Sequence, residues 1–155
     1  MGRRPKIHQA RRAARRDLLV DAPLLAIPVF IDMGGSPDLI FVEQAVAAAR
    51  GLVEQLKQLG GAGKAQVVEM GAARYLRSPP QAFDIVFLDP PFGRGALAEY
   101  VPMLEAGEWL KQGAMVYLEN EKSEGVPKLP PRWELLKSKS AGEVGYHLAR
   151  VNARA

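Results

Sequence analysis

The sequence predicts one α/β domain built on a mostly parallel sheet. Three observations carry that expectation. The apolar runs at residues 65–70, 83–88 and 114–120 are continuous, as strands are when helices cover both faces. Helical stretches alternate with them, the βα pattern of a parallel sheet. Two further runs flank Ala141-Gly142 and read as a closing antiparallel hairpin. At 155 residues the chain is long enough for a domain with a full core.

The elements follow in order. Residues 8–19, "HQARRAARRDLL", read as a short basic helix. Residues 26–31, "AIPVFI", read as a strand, although Pro28 lacks an N–H donor. Residues 39–42, "LIFV", form a second short strand that ends on Glu43. Residues 43–61 make an amphipathic helix, with Ala45, Ala49, Leu52, Leu56 and Leu59 at helical spacing and Val46 and Val53 beside them. Gly60-Gly61 stops it. After the strand at 65–70, "AARYL" is at most a short helix before Ser78-Pro79-Pro80. Residues 96–110, after the 83–88 strand, are helical, with Pro102 marking a first turn or a kink. No internal repeat is present. Residues 1–25 read as a basic arm and residues 26–152 as the domain.

Composition narrows the function. There is no cysteine, which excludes disulfides, thiolate metal sites and cysteine nucleophiles. Apolar runs fall far short of the roughly 18 residues of a membrane span. "LLVDAPLLAIPVF" is broken by Asp21, Pro23 and Pro28, so no signal peptide is expected, and a cytoplasmic protein is. Residues 1–16 carry seven Lys or Arg and no acid, within a chain of net charge +4. The other 139 residues therefore net −3, the difference between +4 and +7. A basic arm on a mildly acidic body suits an anionic partner, most simply nucleic acid. A solvated terminus has the same composition.

The stretch "FDIVFLDPPFGRG", residues 83–95, carries the chemistry. In an open sheet of this kind ligands sit outside the carboxyl ends of the strands. Asp89 to Phe92 lie at one such end, and Glu43 and Glu119 at others. An acid and two prolines could simply terminate a strand. The whole string says more. Two prolines fix the loop and remove two donors, leaving the Asp89 carboxylate and the Pro90 carbonyl to accept hydrogen bonds. Phe92 offers a face for stacking a planar base, a contact worth about 1–3 kcal/mol. Acceptors beside a stacking ring suit a planar substrate bearing an amino group.

"DPPF" after an apolar strand resembles the (D/N)PP(F/Y/W) motif of the S-adenosylmethionine-dependent amino methyltransferases. With "GEWLKQGAMVYLENE" and "PRWELLKSKSAGEVGYHL", it resembles the bacterial RsmD-type 16S rRNA guanine-N2 methyltransferases over about residues 39–151. That resemblance implies a Rossmann-like class I S-adenosylmethionine-dependent methyltransferase sheet. It implies methyl transfer to the exocyclic amine of a guanine in 16S rRNA, or in the small ribosomal subunit, reached outside a helical stack. Asp89, Pro90, Pro91 and Phe92 would form the catalytic loop. S-adenosylmethionine would meet Asp32, Gly34, Glu43, Gln44, Gly71, Ala72 and Asp89, with Glu43 on the ribose hydroxyls. Taken alone, Glu43 could instead be a charge at a helix start. RNA would meet Arg11, Arg12, Arg15, Arg16 and Arg94. A monomer without metal or membrane association is expected. His8 and His147 are isolated, and Trp109 and Trp133 read as packing residues. The acids of "LENEKSEG" read as a solvated loop.

The chain departs from the family in three places. Asp32 to Ser36 resemble the start of its glycine-rich loop, but only 10 residues separate Asp32 from Glu43. A parallel crossover needs about a dozen or more. An antiparallel hairpin through Gly34-Gly35-Ser36-Pro37 is the simplest link, so the first βα unit is atypical. The family's Asp or Asn near the adenine is Gly71 here. The basic arm does not match the family's N-terminal segment. Together these describe an N-terminally divergent or truncated member whose family sequence begins near residue 34. The rival reading is a catalytically silent RNA-binding relative.

Overall fold

The computed structural model describes residues 28–34, 37–61, 63–90 and 95–155. The helix expected at 8–19, His8, Arg11, Arg12, Arg15, Arg16, Pro91, Phe92 and Arg94 lie outside the described residues.

Among the described residues, seven strands form one sheet in the order β3-β2-β1-β4-β5-β7-β6. They are β1 Val29–Ile31, β2 Leu39–Val42, β3 Ala65–Val68, β4 Phe83–Leu88, β5 Leu110–Glu121, β6 Trp133–Ala141 and β7 Val144–Val151. The helices are α1 Val46–Gln58, α2 Ala72–Tyr75 and α3 Ala96–Ala106. β2 runs parallel to β3 and β4 to β5, across α1 and α3. β7 is antiparallel to β5 and to β6, so the C-terminal hairpin is as expected.

β1 is the unusual strand. It is antiparallel to both neighbours, with Phe30 opposite Ile40 on one side and Val86 on the other. The short link to β2 is thus a hairpin, closed by the Asp32 N–H donating to the Asp38 carbonyl at 2.9 Å. Seven residues between Ile31 and Leu39 cannot hold a helix and return in parallel. The strand starts at Val29 because Pro28 cannot donate to a ladder, whereas its carbonyl accepts from the Val42 N–H at 3.1 Å. Five strands, β2 to β6, point one way, and β1 and β7 the other.

One sheet face carries the core. Phe30, Phe83, Tyr75 and Trp109 form an aromatic cluster, with ring centroids 5.0–6.2 Å apart. Val86, Leu88, Val116 and Leu118 extend it beneath Leu97, Val101 and Leu104 of α3. Trp109 is buried and donates to the Leu76 carbonyl, and Trp133 donates to Glu105 Oε2 at 2.7 Å.

Several boundaries differ from expectation: β3 ends at Val68 rather than residue 70, and β5 runs over Leu110–Glu121 rather than 114–120. The helix expected over 96–110 ends at Ala106. A Cβ on Gly107 would lie 2.5 Å from Trp109 Cδ1 and 2.9 Å from the Met103 carbonyl, so the indole folds back against a bare backbone and the chain enters β5. On α1 the buried residues are Ala48, Ala49 and Leu52, whereas Val46, Val53 and Leu59 are exposed. The helix starts at Val46 rather than Glu43 and meets mainly β3, so only a narrow stripe of it is covered. "LENE" is also not a solvated loop: it continues β5, with Glu119 and Asn120 buried.

Candidate functional site

The strand order reverses direction between β1 and β4, the switch point at which open α/β sheets bind ligands. A cleft of about 540 Å³, counted out to its mouth, opens there at the carboxyl ends of β2, β3 and β4. Glu43 and Gln44 come from the end of β2, Met70, Gly71 and Ala72 from the end of β3, and Asp89 and Pro90 from the end of β4. Val42, Leu88 and Tyr100 give it apolar walls, and Pro28 closes one side.

Glu43 is buried. Its backbone N–H donates to the Val68 carbonyl, which ties the tip of β2 to β3. Glu43 Oε1 accepts from the Ala45 N–H at 2.7 Å, while Oε2 has no hydrogen-bond partner among the described residues. The carboxylate is therefore oriented by the start of α1 with one oxygen left for a ligand. Asp89 is buried at 7% exposure, directly after the last residue of β4. Burial pushes the Tyr100 phenol above its ordinary pKa, with Glu99 adding to it. The third acid expected at this rim, Glu119, is buried in β5 and accepts from the Tyr117 hydroxyl at 2.6 Å, but does not line the cleft.

Asp32 and Gly34 lie elsewhere. Because β1 is reversed, its far end stands beside the first residues of β2 and β4, at the opposite edge of the sheet. There Lys111 Nζ bonds Asp32 Oδ1 and Asp84 Oδ2, each at 2.8 Å. Gln81 donates to Asp32 Oδ2, Gly34 N–H to Asp32 Oδ1, and Met33 N–H to Asp84 Oδ2. The Lys111 hydrogen bond, helped by Gly34, holds Asp32 below the usual carboxylate range. Lys111 and Met33 do the same for Asp84, and the two acids raise Lys111 in return. This loop latches the hairpin to β4 and β5, and the expectation that it faces the cofactor does not fit its position.

The structure thus gathers Glu43, Gln44, Gly71, Ala72, Asp89 and Pro90 and separates Asp32 and Gly34 from them. Sequence reasoning missed Pro28, Met70 and Tyr100 as cleft walls. Tyr100 had a signal, being an aromatic early in the helix that follows the Asp-Pro-Pro loop. His147 is buried in β7, bonded through Nδ1 to Ser138 Oγ at 2.8 Å and through Nε2 to Asn120 Oδ1 at 3.0 Å.

The strand order and the carboxyl-end cleft define a Rossmann-like fold of the class I methyltransferase kind. The likeness to solved structures agrees. A structure of yhhF from Escherichia coli superposes with a TM-score of 0.70 at 37% identity, over 74% of this chain and 64% of that one. HI0767 from Haemophilus influenzae gives 0.68 at 33% identity, over 74% and 72%. The chain belongs to the family described as Conserved hypothetical protein 95, whose model matches residues 35–150. Ribosomal RNA small subunit methyltransferase D of Escherichia coli strain K12 is 38% identical over 113 residues, 73% of this chain and 57% of that protein. The chain thus spans little more than half the length of this relative. β1 and Asp32 precede the family match.

Proposed function

We propose that the chain transfers a methyl group from S-adenosylmethionine to the exocyclic N2 amine of a guanine in small-subunit rRNA. The observation that carries this is the cleft itself, where an oriented Glu43 and the Asp89-Pro90 tip share one rim. The similarity to an rRNA small subunit methyltransferase supports the substrate class. The residues present fit the nucleoside half of the cofactor: a carboxylate with one open oxygen for the ribose, and apolar walls for a base. When bound, the cofactor would supply an electrophilic methyl and, with its methyl C–S bond broken, would leave as S-adenosylhomocysteine.

The chain's own residues position the nucleophile. The Asp89 carboxylate and the Pro90 carbonyl accept the N–H groups of the amine, which aims its lone pair at the methyl carbon. Once the C–N bond forms, the surplus amine proton leaves to Asp89 or to water. Pro91 and Phe92 complete the loop, with Phe92 stacking on the flipped base. The arginines of the arm and Arg94 hold RNA phosphates. Holding the amine in line is mainly a positioning effect.

The test is labelled methyl transfer to small-subunit rRNA, free or in the assembled particle, followed by nucleoside mass spectrometry. N2-methylguanosine formed by the wild-type chain and lost in Asp89→Ala is the expected result. Transfer that survives Asp89→Ala refutes the role of that loop.

A second reading has a specific observation behind it. The reversed β1 takes Asp32 and Gly34 to the opposite edge and sets Pro28 at the cleft. A silent RNA-binding relative would keep salt-dependent RNA affinity and show no cofactor affinity.

A further inference from the structure

The two faces of the sheet are covered unequally. Ile40, Phe30, Val86, Val116 and Ala149 stand opposite one another across β2, β1, β4, β5 and β7, and each is at most 4% exposed. Their sequence neighbours point to the other face. There Val67, Phe41, Val29, Phe87, Tyr117 and Leu148 form the matching row across β3, β2, β1, β4, β5 and β7. All six are half-buried. Ile31, Ile85 and Met115 make a second such row, also half-buried. α2 and α3 pack on the first face and α1 meets mainly β3, so the described helices give the second face a layer only at its β3 end.

The chain also holds an apolar run that no described element absorbs. Residues 18–27, "LLVDAPLLAI", carry Leu18, Leu19, Val20, Leu24, Leu25 and Ile27. They lie outside the described residues. The run ends at Pro28, whose carbonyl accepts from the Val42 N–H and which directly precedes Val29 of the half-buried row. It is therefore tethered at the third strand of the sheet. Strands lie about 4.8 Å apart, so the row from β3 to β7 spans about 24 Å. Ten residues reach about 15 Å as a helix and about 33 Å extended, enough to cross β4 and β5 in either form.

We propose that residues 18–27 pack across the second sheet face and complete the core. The apolar side chains of the run and of the half-buried rows leave water together. Being tethered, the run meets the face at an effective concentration of about millimolar. A second copy of the chain in micromolar solution competes poorly with it. The packed run also anchors the basic arm to the sheet, because Arg16 stands two residues before Leu18.

The chain has no cysteine, so Asp21→Cys places a single nitroxide label in the run without removing an apolar side chain. Methyl NMR of the full chain reads the result. Ile85 and Met115, on the second face, should lose most of their signal to the label, while Met103 of α3, packed on the first face, keeps its own. Equal signals at Met115 and Met103 would overturn the proposal. Broadening passed from a labelled chain to a separate, isotope-enriched chain would give the face to a second copy and overturn it too. Leu24→Asp combined with Leu25→Asp should raise binding of an apolar dye several-fold and lower the melting temperature. Leu59→Asp, at an apolar site already 71% exposed, should leave dye binding unchanged. A double variant that binds no more dye than the wild type and melts with it also refutes the packing.

Discussion

Phe30→Ala tests whether the reversed β1 belongs to the sheet. Phe30 is at 0% exposure, in the middle of a three-residue strand paired on both sides. Its ring meets Phe83 at 5.1 Å, Tyr75 at 5.2 Å and Trp109 at 6.1 Å. Truncating a buried phenylalanine costs about 3–5 kcal/mol in lost transfer energy and cavity. Each aromatic pair adds about 0.5–1.5 kcal/mol to its area term, which favours the upper part of that range. Against a typical stability of about 5–15 kcal/mol, the loss is large. Urea unfolding followed by circular dichroism should show the midpoint falling with the slope unchanged. Leu59→Ala, at a site 71% exposed, is the control and should shift stability by less than about 0.5 kcal/mol. A Phe30→Ala cost below about 1 kcal/mol would refute the placement of β1 between β2 and β4, since substitutions away from the core have effects of that size.

Further consequences can be measured separately. Gly107→Ala should cost about 1–3 kcal/mol by the same denaturation, because the new methyl meets the Trp109 indole and the Met103 carbonyl, neither of which can retreat. Lys111→Met should flatten the acid limb of the stability profile. Asp32 and Asp84 are held below their ordinary values, so their contribution is present above about pH 4 and lost as pH falls through the lowered values. The gap between wild type and Lys111→Met should therefore be widest near neutrality and close in acid; a constant gap would contradict the latch. His147 is lowered by burial, so its contribution is present above about pH 6.5 and lost as pH falls through the lowered value. His147→Gln should show a smaller loss of stability between neutrality and mild acid than the wild type. Replacing Arg11, Arg12, Arg15 and Arg16 with Gln should weaken RNA binding and make the salt slope shallower, by about 0.7 to 0.9 for each phosphate no longer neutralised.

Much of the fold was legible because continuous apolar runs and helical spacing are local signals. β2 and β4 sit where the pattern placed them, and the hairpin turn falls one residue further on, at Gly142-Glu143 rather than Ala141-Gly142. The hairpin was legible from one constraint, since ten residues between Asp32 and Glu43 leave no room for a crossover. What a hairpin does to a motif was harder to read. "DMGG" keeps its local resemblance to a cofactor loop, but reversing the strand before it carries Asp32 to the far edge, where Lys111 from β5 meets it. That partner is distant in sequence, and no local pattern announces it. The end of α3 was missed for a similar reason: the stop at Gly107 comes from packing against Trp109 rather than from helix propensity. On α1 the apolar spacing marked more residues than the neighbouring sheet covers, because periodicity records a face and not the width of what it packs against.

The central claim is that the Glu43–Asp89 cleft still takes S-adenosylmethionine although the first strand runs backwards. Calorimetric titration of the purified chain with that cofactor tests it most directly, with Glu43→Gln alongside. The account predicts micromolar binding to the wild-type chain and a loss of about tenfold or more in Glu43→Gln, whose buried side chain no longer offers a carboxylate to the ribose. No binding at millimolar cofactor, by a wild-type chain that unfolds cooperatively, would contradict it and would favour the silent RNA-binding relative.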